Sequence, residues 1–153
     1  MKRASLLFSL FAMVVMFASC ENGEHNSLPK NPVEKECYIG TMTVDQNDGT
    51  FYTQEEVEVD YEIYDGKLNF VMYKVKFASG MPIKLDMVVE GVDCLGAVGN
   101  YILAGNGIVP YAMGGPFEKY TITNLIGAIT NTTFSMSFMC GEYPVTFEGT
   151  KSK

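Results

Sequence analysis

The sequence predicts an all-β protein of about eight antiparallel strands that close into an up-and-down barrel, and three observations support this. Apolar and charged residues alternate over residues 55–63, as in a strand with one buried and one exposed face. Asp65-Gly66 follows, a pair that supplies the positive φ angles of a tight hairpin turn, and an apolar run returns from Leu68. Similar alternation returns over residues 134–148, and no segment after residue 36 has a helical period.

The first 19 residues have the pattern of a signal peptide. Lys2-Arg3 form a short basic region, and the apolar run over residues 4–18 is too short for an ordinary membrane-spanning helix. The run ends in Phe17-Ala18-Ser19-Cys20, which resembles the lipobox of bacterial lipoproteins, where the chain is cut before a cysteine whose sulfur carries a diacylglyceryl group. We therefore predict a lipoprotein signal peptide over residues 1–19 and lipid attachment at Cys20, with a plain secretory signal as the alternative. Two acyl chains would anchor the protein stably to the cell envelope, and we expect it at the outer membrane.

Residues 20–35 are predicted to be a lipidated start followed by a flexible tether, because they contain two prolines, few apolar residues and no periodicity. The only histidine of the chain, His25, lies in this segment. A catalytic or metal-binding histidine needs packed neighbours that fix its position, which a tether does not supply. The folded domain is therefore expected over residues 36–153, without histidine chemistry.

The remaining strands follow from alternation and turn residues. In chain order they are expected at residues 38–44, 55–64, 67–77, 83–90, 101–108, 120–129, 133–140 and 143–148. The apolar face of the third strand changes sides between Met72 and Val75, as a β-bulge would cause. The glycine-rich stretch over residues 91–116 has a poorer pattern, and a long loop is expected over 110–117. The loop side chains Tyr111, Met113 and Phe117, together with Tyr101, could form a lid over a barrel mouth or an irregular connection packed on the rim.

Eight antiparallel strands leave exposed edges unless the sheet closes, so the pattern favours a barrel. The lipobox, the opening segment YIGTMTV at residues 38–44, the DGKL turn at 65–68 and the closing segment VTFEGTK at 145–151 together resemble the calycin-like β-barrel domain of lipoproteins from gut-dwelling Gram-negative bacteria. The resemblance covers about residues 37–151. It implies a lipocalin-like barrel with no established activity.

A barrel of eight strands has an interior that is either filled by side chains or holds one small ligand. Both alternatives remain open from the sequence, and a small apolar ligand at one open end is the first functional hypothesis. The inward positions that would line such a site are Val59, Tyr61, Phe70, Leu85, Met87, Met136, Phe138 and Phe147.

The second hypothesis is a surface interaction protein or inhibitor with a filled core. The formal net charge of −7 argues against nucleic-acid partners. An acidic row on the outward face of the second strand could meet a basic protein partner, or could be only a solvated strand face. It consists of Glu56, Glu58, Asp60 and Glu62.

An enzyme is the least favoured class, and no cofactor or metal is expected. The sequence has no Gly-x-Ser-x-Gly elbow, no histidine in the domain and no Cys or His cluster with metal-ligand spacing. With Cys20 lipidated, Cys37, Cys94 and Cys140 remain, an odd number. Cys140 shares a face with apolar residues, which favours a buried free thiol, whereas Cys94, in an expected loop, could reach Cys37.

Overall fold

The computed structural model describes residues 34–153, and most of them lie in β-strands. The predicted signal peptide, Cys20, His25 and the tether up to residue 33 lie outside the described residues. The first strand begins at Glu34, so β-pairing extends two residues into the segment expected to be a tether.

The described chain has ten strands and one short 3-10 turn. In order they are β1 (Glu34–Asp45), β2 (Phe51–Tyr64), β3 (Lys67–Val75), β4 (Leu85–Ala97), β5 (Asn100–Gly105), β6 (Tyr111–Ala112), β7 (Gly115–Pro116), the 3-10 turn (Glu118–Tyr120), β8 (Ile122–Thr130), β9 (Thr133–Cys140) and β10 (Tyr143–Lys151).

Eight of these strands close into an antiparallel up-and-down barrel, which confirms the predicted fold class. Around the barrel the order is β1, β2, β3, β4, β5, β8, β9 and β10, and β10 pairs with β1 to close it. The two short strands β6 and β7 form a hairpin outside this circuit, where Tyr111 pairs with Val88 of β4. Closure leaves the eight barrel strands without a free edge.

The period-two pattern places apolar side chains inside, as predicted. In β2 the residues from Val57 to Ile63 alternate between buried and more exposed positions. In β9 the side chains of Phe134, Met136 and Phe138 are almost fully buried. The predicted bulge is also confirmed.

The bulge lies in β3, where two residues, Tyr73 and Lys74, face the single residue Asp86 of β4. Met72 pairs with Met87, and Val75 pairs with Leu85. Lys74, within this interval, has a φ of 54°. The extra residue restores the inward direction of Val75 after the apolar pattern of β3 changes sides.

The stretch over residues 83–108 differs from the prediction. β4 begins at Leu85, so Ile83 lies in the preceding loop and is 51% exposed instead of facing inward. β4 then continues through Gly91 and Gly96 to Ala97, and β5 ends at Gly105 rather than at residue 108. The glycines weaken the strand pattern, but hydrogen bonds to β3 and β5 on either side hold β4 extended.

The two ends of the barrel differ. At one end, here called the mouth, lie the long connections 46–50, 76–84 and 106–121 and the turn between β9 and β10. At the opposite end lie the tight turns at 65–66, 98–99 and 131–132. The irregular part of the chain is therefore concentrated at the mouth.

Candidate functional site

The barrel interior is filled by aromatic side chains around Phe134. Its ring lies edge-on to those of Tyr38, Tyr61, Phe70 and Phe147, with centroids 5.6, 5.8, 6.5 and 5.8 Å away. Edge-to-face contacts at these distances are favourable for aromatic rings. The part of the barrel interior around Phe134 is therefore a packed core.

The eight positions predicted to face the interior are all buried. Their exposed fractions range from 0% for Val59, Phe70 and Phe147 to 6% for Leu85. The others are Tyr61, Met87, Met136 and Phe138. Leu85 also lines the open cavity described next.

This cavity is a depression at the mouth of the barrel, with a volume of about 440 Å³. We call it the mouth depression. Its lining comes from the connection between β3 and β4, the hairpin β6–β7, the 3-10 turn and the start of β10: Ala78, Gly80, Met81, Pro82, Ile83, Leu85, Met113, Phe117, Lys119, Tyr120 and Tyr143. Its volume is within the range of small-molecule sites, and its lining is mostly apolar.

Tyr120 lines the mouth depression and is 6% exposed. Its ring lies 5.5 Å from that of Phe77 and 5.0 Å from that of Phe117. Its hydroxyl donates a hydrogen bond to the sulfur of Met81 at 3.9 Å, and the backbone N–H of Phe77 donates to the same sulfur at 3.1 Å. Burial raises the pKa of the Tyr120 hydroxyl above its usual value, so the hydroxyl stays protonated and a donor at neutral pH.

The rim of the mouth depression is apolar and exposed. Met113 is 72% exposed and Ile83 is 51% exposed, unusually high fractions for large apolar side chains. Lys119 is the one charged residue of the lining, and its ammonium lies 5.7 Å from the centroid of the Tyr120 ring. The depression therefore combines an apolar surface with a single cation at its edge.

The loops at the mouth are connected to one another. Gln46 donates from Nε2 to the carbonyl oxygen of Phe77 at 3.4 Å, and its Oε1 accepts from the N–H of Ser79 at 3.1 Å. Asn47 donates from Nδ2 to the carbonyl oxygen of Glu142 at 2.8 Å. These bonds join the connection between β1 and β2 to two neighbouring ones, so the mouth is partly preorganised.

The residues predicted as lid or rim separate into two places. Met113 and Phe117 line the mouth depression, and Tyr111 pairs with β4 beside it. Tyr101 does not belong there: it lies in β5, is 6% exposed, and pairs with Gly96 and Ile129 toward the opposite end. The expected long loop is therefore a short hairpin at the mouth, without Tyr101.

The acidic row of β2 lies on the outer wall as predicted, except that Glu56 lies where β2 bulges against β1 and has a φ of 59°. Asp60 accepts a hydrogen bond from the Tyr73 hydroxyl at 3.2 Å. Burial, the neighbouring Asp60 and the charge of Asp86 raise the pKa of Tyr73 to about 12. The carboxylate of Asp60 on this outer wall therefore makes the Tyr73 hydroxyl harder to ionise.

The three described cysteines are not joined to one another by disulfides. Cys94 is in β4 and buried, not in a loop, while Cys37 lies on the outward face of β1 opposite Asp60, so the two side chains are on different faces of the sheet. Burial and Asp60 raise the pKa of the Cys37 thiol to about 12. Cys140 is the buried free thiol that the sequence predicted, and burial raises its pKa as well.

Among residues 34–153, no group of three or more His, Cys, Asp or Glu side chains is arranged to hold a metal ion. Over the same residues no helix is long and apolar enough to cross a membrane. Comparison with models of protein families, with curated proteins and with solved structures finds no match. The site must therefore be interpreted from its own geometry.

Proposed function

We propose that this protein is a lipid-anchored, calycin-like barrel of the bacterial cell envelope that binds a small apolar ligand at the mouth depression. The observation that carries the proposal is an open apolar depression of about 440 Å³ above a filled core. The ligand site therefore lies at the end of the barrel instead of deep inside it. Of the interior positions named from the sequence, Leu85 borders this depression.

The residue types of the lining favour an apolar molecule with an anionic group. Met81 and Met113 are flexible and polarisable, so they adapt to an irregular apolar shape. Phe117 and Tyr120 supply flat aromatic surface. Lys119 at the edge can pair with a carboxylate or phosphate while the apolar part of the ligand lies on the floor.

Methyl-detected NMR of protein labelled at methionine methyl groups tests this site directly. Titration with a long-chain fatty acid and with the matching alcohol should shift the signals of Met81 and Met113. Signals of the fully buried Met42 and Met72 should stay in place, because they lie in the core. Shifts confined to the core methionines would place the ligand inside the barrel and contradict a mouth site.

Two variants and one control, used in the same titration, test whether the ligand contacts the rim and Lys119. Ile83→Asp introduces a charge on the apolar rim and should weaken binding about tenfold, whereas Ile39→Asp, on the outer wall and 38% exposed, is the matched control. Lys119→Met should weaken binding of the acid but not of the alcohol. Equal affinities for Ile83→Asp and Ile39→Asp would overturn the proposal.

The lipid anchor is part of the proposal and has its own test. Metabolic labelling with tagged palmitate should mark the wild type and should be lost in Cys20→Ser, because the sulfur that carries the lipid is gone. A wild type that takes up no label would contradict anchoring through Cys20, while leaving the ligand site untouched.

We propose no catalytic role. A thiol nucleophile must be ionised, and the raised pKa values of Cys37 and Cys140 keep both thiols protonated at neutral pH. Asp60 strengthens this effect at Cys37, since a neighbouring carboxylate disfavours a thiolate.

The second candidate is a protein interaction role for the acidic row of β2, which forms an acidic wall on the outside of the barrel. The filled core and the outward direction of these carboxylates favour it. A basic partner would be steered toward this wall by charge. Changing Glu58, Asp60 and Glu62 together to serine should abolish capture of such a partner in pull-downs from the envelope fraction. Unchanged capture would exclude the acidic wall as the contact.

A further inference from the structure

One side of the barrel has an outer wall without charge. From Cys94 to Gly141 the sequence has only two charged residues, Glu118 and Lys119, and both lie in the 3-10 turn at the mouth. We call the outward side chains of this region the uncharged wall: Leu95, Ala97, Ile102, Ala104, Ile126, Ala128, Ser135 and Ser137.

The large apolar side chains of the uncharged wall are exposed and adjacent. Leu95, Ile102 and Ile126 are 71%, 61% and 64% exposed. Leu95 pairs with Ile102 across β4 and β5, Ile102 pairs with Ala128 across β5 and β8, and Ile126 pairs with Ala104. The pairing makes one contiguous apolar patch across three strands, which in a soluble domain marks a contact surface.

The charges of the outer wall lie elsewhere. Asp93, next to Leu95, forms a salt bridge with Lys67, and Glu148 pairs with Ser135 at the other border. The acidic row of β2 faces a different side of the barrel. An apolar centre with a charged border is the usual anatomy of a protein interface.

We propose that the uncharged wall is the interface through which two copies of this chain form a symmetric dimer. A protein with a net charge of −7 repels a second copy of itself, and this wall lets two copies meet without bringing carboxylates together. The acidic rows then point away from the contact.

The shape of the wall suits a two-fold contact. A two-fold interface joins the same patch on both copies, so the patch must complement itself. Here the bulky Leu95, Ile102 and Ile126 stand beside the small Ala104 and Ala128, so the patch has both projections and recesses, as a self-complementary surface requires. Since the barrel is closed, the copies associate through this face and not by adding strands.

The size of the wall predicts the strength of the dimer. The listed side chains occupy about four residues on each of four strands, so at ~4.8 Å between strands and ~3.3 Å per residue they cover on the order of 250 Å². Stable interfaces bury ~800 Å² per partner. The dimer should therefore be weak and dissociate on dilution.

Sedimentation velocity of the protein starting at residue 21 tests the proposal over about 1 to 500 μM, a range that brackets micromolar dissociation constants. The wild type should shift from monomer to dimer, and Ile102→Asp and Leu95→Asp should remain monomeric throughout. Thr53→Asp, which adds the same charge at an exposed position of β2, should dimerise like the wild type. Ile102→Ser repeats the test without a charge, and thermal unfolding verifies that each variant is folded.

Three results would overturn the proposal. One is a wild type that stays monomeric at every concentration. Another is a dimer that Ile102→Asp, Leu95→Asp and Ile102→Ser leave intact although all three are folded. The third is a monomer whose binding to phosphatidylcholine vesicles is lost in Ile102→Asp, which would assign the wall to a lipid surface.

Discussion

Phe134, edge-on to four other rings, is the residue on which the packing of the barrel interior most depends. Phe134→Ala should lower the free energy of unfolding by ~3–5 kcal/mol, because it removes a large buried side chain and leaves a cavity. Phe51→Ala, at a site that is 67% exposed, should change it by no more than ~0.5 kcal/mol. Urea unfolding measures both, and a loss below ~1 kcal/mol for Phe134→Ala would contradict a filled interior.

Tyr73 should make stability depend on alkaline pH. Its pKa is raised from 10.0 to about 12 by burial and by Asp60, so the folded state holds the proton more tightly than the unfolded state. The resulting stabilisation is fully present below about pH 10 and is lost as the pH rises toward 12. In urea unfolding at several pH values, Tyr73→Phe should flatten the decline over this interval, whereas the exposed Tyr111→Phe should not. An equal decline in Tyr73→Phe would contradict the assignment.

At the residue scale the sequence predicted burial well and partners poorly. Alternation placed Phe70, Met136 and the other interior positions correctly, because a strand face is either inside or outside. Cys94 was misplaced in a loop because the glycines around it obscured the alternation. Pairings such as Asp60 with Tyr73 depend on strand register, which one sequence does not display.

Among the strands, the contact of β1 with β10 is unusually close at Gly40. A Cβ added there would collide with the carbonyl oxygen of Glu148 and the backbone of Gly149. Gly40→Ala should therefore lower the melting temperature by several degrees, because strand pairing must shift to make room. Gly80→Ala is the matched control, since nothing lies within 4 Å of its added Cβ. Equal melting temperatures for the two variants would contradict this close contact.

Elements with regular alternation could be predicted from sequence, and the rest could not. The bulge before Val75 was visible because the apolar residues change face within a few positions. The hairpin β6–β7 was not, because each of its strands has two residues and gives no periodicity. The length of β4 was also hidden, since pairing with its neighbours, and not its own composition, keeps the chain extended through Gly91 and Gly96.

For the whole molecule, barrel closure followed from strand count and hairpin order, but the candidate site did not. The lining of the mouth depression comes from connections far apart in sequence, between residues 78 and 143. Only the folded barrel brings Met81, Met113 and Tyr143 to one end. The sequence therefore suggested an apolar ligand at one open end of the barrel as one of two alternatives, but of the interior positions it named as the lining, Leu85 alone borders the mouth depression.

The central claim is that the mouth depression binds an apolar ligand. Native mass spectrometry of the mature protein, purified gently from its own type of cell, tests this most directly, with Ile83→Asp and Ile39→Asp purified in parallel. We expect one small apolar molecule per chain in the wild type and in Ile39→Asp, and a strongly reduced amount in Ile83→Asp. A wild type that carries no such molecule, and whose melting temperature no lipid or small apolar compound raises, would contradict the claim.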